Sequence, residues 1–247
     1  MTEKKSRVIS WIILGIFLLA FILLISNMAL WESFLRWLFP EEREVLHPRG
    51  TLLELVGEHL WMVIVSSGLA TVIGISIGVL VTRPLGRQYL PLVSNLSSLG
   101  QTFPPVAVLA LAVPLLGFGF KPTVAALLLY GFLPIVRNTI TGIENIPSEV
   151  REAAYGMGMS SWQVLFKIEL PLALKVIMSG IRISVVINIG TATVGATIGA
   201  GGLGSPITAG LVSENPAFIL EGAIPAALLA FSADSLLGNI EKSFSSE

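Results

Sequence analysis

The sequence contains no cysteine among its 247 residues, which excludes disulfides, thiolate zinc sites and a cysteine nucleophile. It is also poor in charge, because only 13% of its residues are Asp, Glu, Lys or Arg, against about 25% in soluble domains. With a net charge of -1 and no basic face interleaved with aromatic residues, it lacks the features of a nucleic-acid-binding protein. The two histidines, His47 and His59, are too far apart for a local metal pair, and we expect each to lie in an interfacial loop.

Long apolar runs take the place of the missing charge. Hydrophobic residues make up 53% of the chain, and runs of about 20 residues, the length that crosses a bilayer as a helix, recur along it. We therefore predict an all-α integral membrane protein with about six transmembrane helices. The predicted spans cover residues 8–30, 60–82, 90–118, 123–136, 176–200 and 217–237, with prolines inside the third and the last.

The first run follows Lys4, Lys5 and Arg7, as in a signal peptide, but it is too long and lacks a small-x-small cleavage site. We predict that it is retained as the first helix. The distribution of basic residues then places both termini in the cytoplasm, because cytoplasmic loops are rich in Lys and Arg. Of the 15 basic residues, those left outside are Arg36, Arg43, Arg49 and Lys121.

The most informative segment is EAAYGMGMSSWQVLFKIELP, residues 152–171. Its pattern predicts a short helix that starts with a hydroxyl cap at Ser148 and ends at Gly156 or Gly158, where a left-handed backbone suits glycine. A second short helix, 162–170, which Ser160 or Ser161 can cap, would follow and end at Pro171. An ordinary amphipathic loop is the alternative, but every fixed position of the EAA loop is filled: Glu152, Ala153, Ala154, Gly158, Ile168, Leu170 and Pro171.

With this loop, the chain resembles the membrane permease subunits of ABC importers. The resemblance implies a five-helix type I importer core after the first helix, and a cytoplasmic coupling loop (137–175) that docks on a separate ATPase. Glu152 would make a charge-assisted contact there, Ala153 and Ala154 would allow close approach, and Gly158 would set the turn. The implied domains are an N-terminal helix with its external connector (1–59), the core (60–237) and a cytoplasmic tail (238–247).

The same resemblance implies the partners and the location. Two ATPase subunits would bind ATP and Mg²⁺, a second permease copy or a related permease would complete the pathway, and an extracytoplasmic solute-binding protein would deliver the solute. This chain itself would bind no cofactor and no metal, and would perform no chemistry. It would be a multi-pass protein of the inner, plasma membrane of a prokaryote.

Two further segments narrow the family. QTFPP (101–105) and NIGTAT (188–193) resemble the permeases of osmoprotectant importers, which carry glycine betaine, choline, carnitine or proline. Uncharged polar groups at membrane depth suit the passage of a cationic or zwitterionic solute. Helix packing is the competing interpretation, since small and polar residues also hold membrane helices together, as the pairs Gly74/Gly78 and Gly195/Gly199 would. The candidate pathway residues are Gln101, Thr102, Pro104, Pro105, Asn188, Thr191 and Thr193.

Other functions fit the sequence less well. The GxGxxG match at 199–204 follows an apolar helix and not a strand, so we expect a bend there and no dinucleotide site. No P-loop motif is present, and an intramembrane protease would lack a partner for Ser66 or Ser67. An ion-coupled secondary transporter would need charged residues within the spans, and Asp234 is expected to pair with a basic residue instead. Within the importer class, an amino acid such as methionine is the alternative solute.

Overall fold

The computed structural model describes residues 2–100 and 102–244, and every regular element in that part of the chain is helical. Short turns of 3₁₀ helix at Arg87–Tyr89 and Ala196–Ile198, and one π-helical turn at Leu165–Glu169, join or extend the α-helices. The α-helices are α1 (Thr2–Ser26), α2 (Met28–Leu38), α3 (Leu52–Thr82), α4 (Leu90–Gly100), α5 (Pro105–Leu116), α6 (Phe120–Glu144), α7 (Ser148–Gly156), α8 (Ser161–Val164), α9 (Leu170–Gly195), α10 (Gly204–Ser213) and α11 (Pro216–Ser243).

The all-α membrane fold predicted from the apolar runs is confirmed. Among the described residues, five stretches are long and apolar enough to cross a membrane, and the third predicted span becomes a sixth if its two halves count together. Those halves, Arg87–Gly100 and Pro105–Leu116, meet at an angle of 104°, at the position of the predicted proline break. The five single spans are Val8–Ser26, Leu52–Thr82, Phe120–Glu144, Ser161–Ile198 and Pro216–Ser243.

The first two spans differ from their predicted limits because side chains cap the helices. Helix α1 ends at Ser26, four residues before the predicted end of the first span, and Asn27 accepts a hydrogen bond from the Leu30 N–H (3.2 Å) that caps the start of α2. Thr51 forms a reciprocal capping box with Glu54, so α3 begins at Leu52 and not at residue 60. His59 therefore lies in a helix and is fully buried, and its prediction as a loop residue is wrong.

Helices α3, α6 and α9 form the centre of the fold, and glycines set their spacing. A Cβ on Gly74 would lie 2.9 Å from Ile135, and one on Gly78 would lie 2.6 Å from Thr139, so α3 approaches α6 along a small-xxx-small face. Gly195 meets Thr123 of α6 in the same way, at 2.5 Å. Gly199 lies beyond the end of α9 with a φ of +80° and serves the bend predicted there.

The N-terminal helix α1 lies at the edge of the molecule. Only 17% of its span is buried inside the chain, so most of its apolar side chains are exposed on the surface of this chain. Two of its buried residues, Phe21 and Ile25, join a core with Trp31 of α2, Ile189 of α9 and Leu229 of α11. This core binds α1 and α2 to the end of the helical bundle at which α3 begins.

A charged cluster joins α9 to α11. Arg182 donates from Nε and Nη2 to both carboxylate oxygens of Asp234 (2.6 and 2.7 Å), and its Nη1 reaches Glu241 at 3.3 Å. The expected pairing of Asp234 with a basic residue is thus confirmed. Because the two helices are distant in sequence, this bidentate contact fixes their relative rotation.

Candidate functional site

The EAA segment begins as the short helix α7 and ends in a glycine turn. The Met159 N–H donates to Ala154 O (3.2 Å) and the Gly158 N–H donates to Tyr155 O (2.9 Å), which is the Schellman pattern of helix termination. Gly158 has a φ of +82°, so it occupies the left-handed position that the sequence predicts for glycine. Ser148 is the first helical residue and makes no side-chain cap, in contrast to the predicted hydroxyl start.

The second half of the loop is not a separate helix. Ser160 forms a capping box with Gln163, as the sequence suggests, but the helix then runs through the π-helical turn directly into α9. The prediction that Pro171 ends this helix is wrong. Pro171 lies inside this continuous helix, two residues after the π-helical turn, and its missing N–H coincides with the wider turn in which the Leu170 N–H reaches back five residues to Leu165 O.

The EAA residues do not all face outward. Glu152, Ala153, Gly158 and Pro171 are exposed, and the side chains of Ile168 and Leu170 are half-buried. Ala154 is only 1% exposed and packs within the chain, so it allows the loop to fold closely onto itself.

Two aromatic side chains that sequence reasoning did not single out lie on the same loop. Trp162 and Phe166 are 71% and 60% exposed, and their rings stack at a centroid distance of 5.9 Å. Their i, i+4 spacing places them on one face of the helix, and this spacing is the feature of the sequence from which the aromatic pair could have been predicted. Tyr155 and Met157 are also exposed, so the loop presents an apolar surface together with the Glu152 carboxylate.

A buried carboxylate holds this loop against the ends of two spans. Glu169 is 3% exposed and accepts a hydrogen bond from Arg151 Nε of α7 at 2.7 Å. Arg83 Nη2, just after α3, lies 2.7 Å from its other oxygen, an ion pair whose angle departs from that of a hydrogen bond. Arg151 also donates to the carbonyls of Ile143 (Nη2) and Ile146 (Nη1, 3.2 Å) at the end of α6. Sequence reasoning missed Glu169 because it occupies the variable position of the motif.

Asn188, a candidate pathway residue, is directed into its own subunit. It is fully buried, and its amide nitrogen lies 3.0 Å from Ser67 Oγ and 3.4 Å from Ser66 Oγ of α3. A Cβ on Gly131 would lie 2.7 Å from both Asn188 and Ser184, so the glycine makes room for this polar cluster. These contacts pack α3, α6 and α9 together, and packing is one of the two roles, beside lining the pathway, that the sequence left open for Asn188.

The other candidate pathway residues lie nearer to exposed surface. Thr102 and Pro104 are exposed and Pro105 is half-buried, all at the bend between α4 and α5, while Gln101 lies outside the described residues. Thr191 and Thr193 on α9 are half-buried, and Thr193 returns its hydroxyl to Gly190 O at 2.6 Å.

At the end of the bundle opposite the EAA loop, an open cavity of about 970 Å³ lies between the start of α3 and the bend after α9. Glu58 accepts a hydrogen bond from the Gly202 N–H (2.8 Å), which ties that bend to α3. His47 lies in the wall of the cavity, its backbone N–H donates to Glu221 (2.7 Å), and burial lowers the pKa of its imidazole. In the part of the chain that the structure describes, no group of three or more His, Cys, Asp or Glu could hold a metal ion.

Several permeases are similar to this chain. It is 40% identical over 203 residues to the osmoprotectant import permease protein OsmW of Salmonella typhimurium, covering 80% of this chain and 93% of that protein. It is 39% identical over 193 residues to the glycine betaine/carnitine/choline transport system permease protein OpuCB of Bacillus subtilis (78% and 88%). It is 45% identical over 174 residues to the carnitine transport permease protein OpuCD of Listeria monocytogenes (70% and 77%).

The fold is shared with a solved permease. A chain of the MetNI methionine ABC transporter, in an inward-facing crystal form, superposes with a TM-score of 0.71 at 24% identity, over 78% of this chain and 95% of that one. Residues 70–246 match the family described as "Binding-protein-dependent transport system inner membrane component", whose members work with ATPase and solute-binding partners. The importer resemblance drawn from the EAA loop is thereby confirmed, and this chain belongs to that family as a multi-pass permease subunit of the inner membrane.

Proposed function

We propose that this chain is the permease subunit of an ABC importer that takes up osmoprotectant amines such as glycine betaine, carnitine or choline. The observation that carries the proposal is that permeases named for these solutes are 39–45% identical to it over at least 70% of its length. The chain supplies the membrane passage, while a partner chain hydrolyses ATP with Mg²⁺.

The EAA loop is the proposed docking element. Its exposed Glu152 would form a charge-assisted contact with a basic group of the ATPase. The stacked Trp162 and Phe166 would add apolar contact area, because exposed aromatic side chains are typical of interface anchors. Gly158 fixes the direction in which the chain leaves α7, and Ala154 fixes how closely α7 packs on the rest of the loop.

The proposed assembly contains two permease chains, the same or related, around a central pathway, with two ATPase subunits below and a solute-binding protein above. Both chain termini are cytoplasmic in this arrangement, as the distribution of basic residues favours. The candidates for lining the pathway remain Gln101, Thr102, Pro104, Pro105, Thr191 and Thr193. Asn188 contributes by holding α9 to α3 and not by contacting the solute.

The experiment is to tag the chain in its native membrane, purify it in mild detergent and identify the co-purifying chains by mass spectrometry. We expect an ATPase chain, ATP hydrolysis, and loss of both in the double variant Glu152→Ala/Gly158→Asp. The same tag reports whether one or two kinds of permease are present. Purification of the chain without any ATPase would contradict the proposal.

Uptake of labelled glycine betaine in the same cells tests the solute class. Excess choline or carnitine should compete with the label, and excess methionine should not. Competition by methionine alone would reassign the importer to amino acids. Selection among quaternary amines is expected to reside in an aromatic cage of the solute-binding partner, where cation–π contacts recognise the ammonium group.

A further inference from the structure

Three segments of the chain meet at the carboxylate of Glu169, and a fourth, the end of α6, is joined to it through Arg151. Glu169 lies in the π-helical turn before α9, it contacts Arg83 after α3, and it contacts Arg151 in α7. Arg151 in turn donates to Ile143 O in the last turn of α6 and to Ile146 O just beyond that helix. We refer to Arg83, Arg151 and Glu169 as the clamp.

Burial makes the clamp stiff. Glu169 is 3% exposed and its two guanidinium partners are 22% and 29% exposed, so the charges are screened by water far less than those of a surface pair. A buried ion pair loses most when one partner is removed, since the remaining charge is left uncompensated. The clamp therefore has one favourable arrangement, with α7 held against the ends of α3 and α6.

A second pair of opposite charges at the same end of α3 and α6, Arg87 and Glu144, is neither buried nor closely paired. Arg87 and Glu144 approach only to 3.9 Å, and their side chains are 71% and 40% exposed. Such pairs contribute little, because solvent screens them and both side chains stay free to move. This pair thus offers a matched control for a change of one carboxylate to its amide.

We propose that Glu169 is a positioning residue for energy coupling, which makes α7 move as one body with α3, α6 and α9 when the ATPase displaces it. The inference rests on the proposed function for the identity of the displacing partner, but the clamp itself belongs to this chain. Outside the clamp, α7 is joined to the spans by the short connections 145–147 and 157–160. Without the clamp, a displacement of α7 would be absorbed in those connections.

The first test measures coupling. The complete importer, with permease, ATPase and solute-binding protein, is reconstituted in vesicles, and solute uptake and ATP hydrolysis are recorded in the same sample. Glu169→Gln should keep the ATPase bound and active but lower the solute moved per ATP by about 2- to 30-fold, the usual range for changes in coupling. Glu144→Gln should leave this ratio unchanged. An unchanged ratio in Glu169→Gln, or loss of ATPase binding in that variant, would overturn the proposal.

The second test needs only the permease and so separates the clamp from the proposed function. Because the chain has no cysteine, Leu85→Cys and Met157→Cys introduce two unique exposed sites for spin labels, beyond α3 and α7. Pulsed electron spin resonance should give a narrow distance distribution for the otherwise unchanged chain and for Glu144→Gln, and a broad one for Glu169→Gln.

Equal widths in all three would refute the clamp even if coupling is lost. Failure of the unaltered chain to bind any ATPase would refute the proposed function and leave the distance result valid. If Glu169→Gln does not insert, Arg83→Gln keeps the Glu169–Arg151 contact and is measured in its place, with the same expected broadening.

Discussion

The turn at Gly158 permits a sharp prediction, because two glycines two residues apart differ in one respect only. A Cβ on Gly156 or on Gly158 would meet nothing within 4 Å, so neither glycine is required for space. Gly158 has a φ of +82°, whereas Gly156 is the last residue of α7 and has no positive φ. Alanine at the two positions therefore tests backbone conformation without a steric contribution.

The magnitude follows from the left-handed conformation. An L-residue other than Asn or Asp loses about 1–2 kcal/mol there, and 1.4 kcal/mol corresponds to about a tenfold change in an equilibrium constant. Gly158→Ala should thus reduce the population of the native turn about 5- to 30-fold relative to other loop conformations. Gly156→Ala should be neutral or slightly favourable, since alanine exceeds glycine in helix propensity by about 1 kcal/mol.

The assay is solute uptake at limiting expression, together with the amount of ATPase that co-purifies. Gly158→Asn is the second control, since Asn adopts the left-handed conformation readily and should retain most of the uptake. Equal damage by Asn and Ala at position 158 would refute the conformational argument and indicate contact with a partner. Gly158→Asp keeps a tolerated backbone but adds a charge, so we expect an inserted permease that uncouples ATP hydrolysis from uptake, and wild-type uptake would contradict this.

Three further changes test the packing and the pH response. Gly78→Ala would place its Cβ 2.6 Å from a side chain of α6, so it should lower the free energy of unfolding by about 1–3 kcal/mol. Thermal unfolding in detergent measures this change, and Gly68→Ala, whose Cβ would meet nothing within 4 Å, is the control. Asn188→Ala removes the amide that bonds Ser67 Oγ and should lower stability by about 1–3 kcal/mol, while the solute concentration for half-maximal uptake stays the same. A changed half-maximal concentration would return Asn188 to the pathway. Burial lowers the pKa of His47 below 6.5. The folded protein therefore keeps its full stability above about pH 6.5, where the imidazole is neutral, and loses stability as the pH falls through the lower folded-state pKa. Thermal scans between about pH 7.5 and 5.5 should show a smaller loss in His47→Gln, which keeps the backbone N–H bound to Glu221, and equal losses would refute this.

Composition and the EAA loop were sufficient to predict the class of the fold, the number of spans to within one, and the glycine turn. Each of these depends on local chemistry: apolar length, a filled motif, and the left-handed position at Gly158. The limits of the spans were less predictable, because the capping box at Thr51 extends α3 by more than two turns into a segment with several charges. His59 was misplaced for that reason.

The direction in which a span residue faces could not be read from the sequence. In a membrane helix the lipid-facing and core-facing sides are both apolar, so the hydrophobic periodicity that identifies the buried side of a soluble helix is absent. Asn188 could line a pathway or bind Ser67, and only the structure shows the latter. Glu169 was overlooked for a related reason, since a charged residue in a polar loop gives no sign that it is buried.

One continuous helix, Ser161–Ile198, joins the EAA loop at one end to the glycine bend at the other, so it can tilt as a single rigid body. Its 38 residues correspond to about 57 Å at 1.5 Å per residue, nearly twice the thickness of a bilayer core. A tilt of about 10° about one end would carry the other end through about 10 Å, the diameter of a helix. A push at the loop therefore reaches the start of the glycine bend, which holds the contact between Gly202 and Glu58, along one continuous helix.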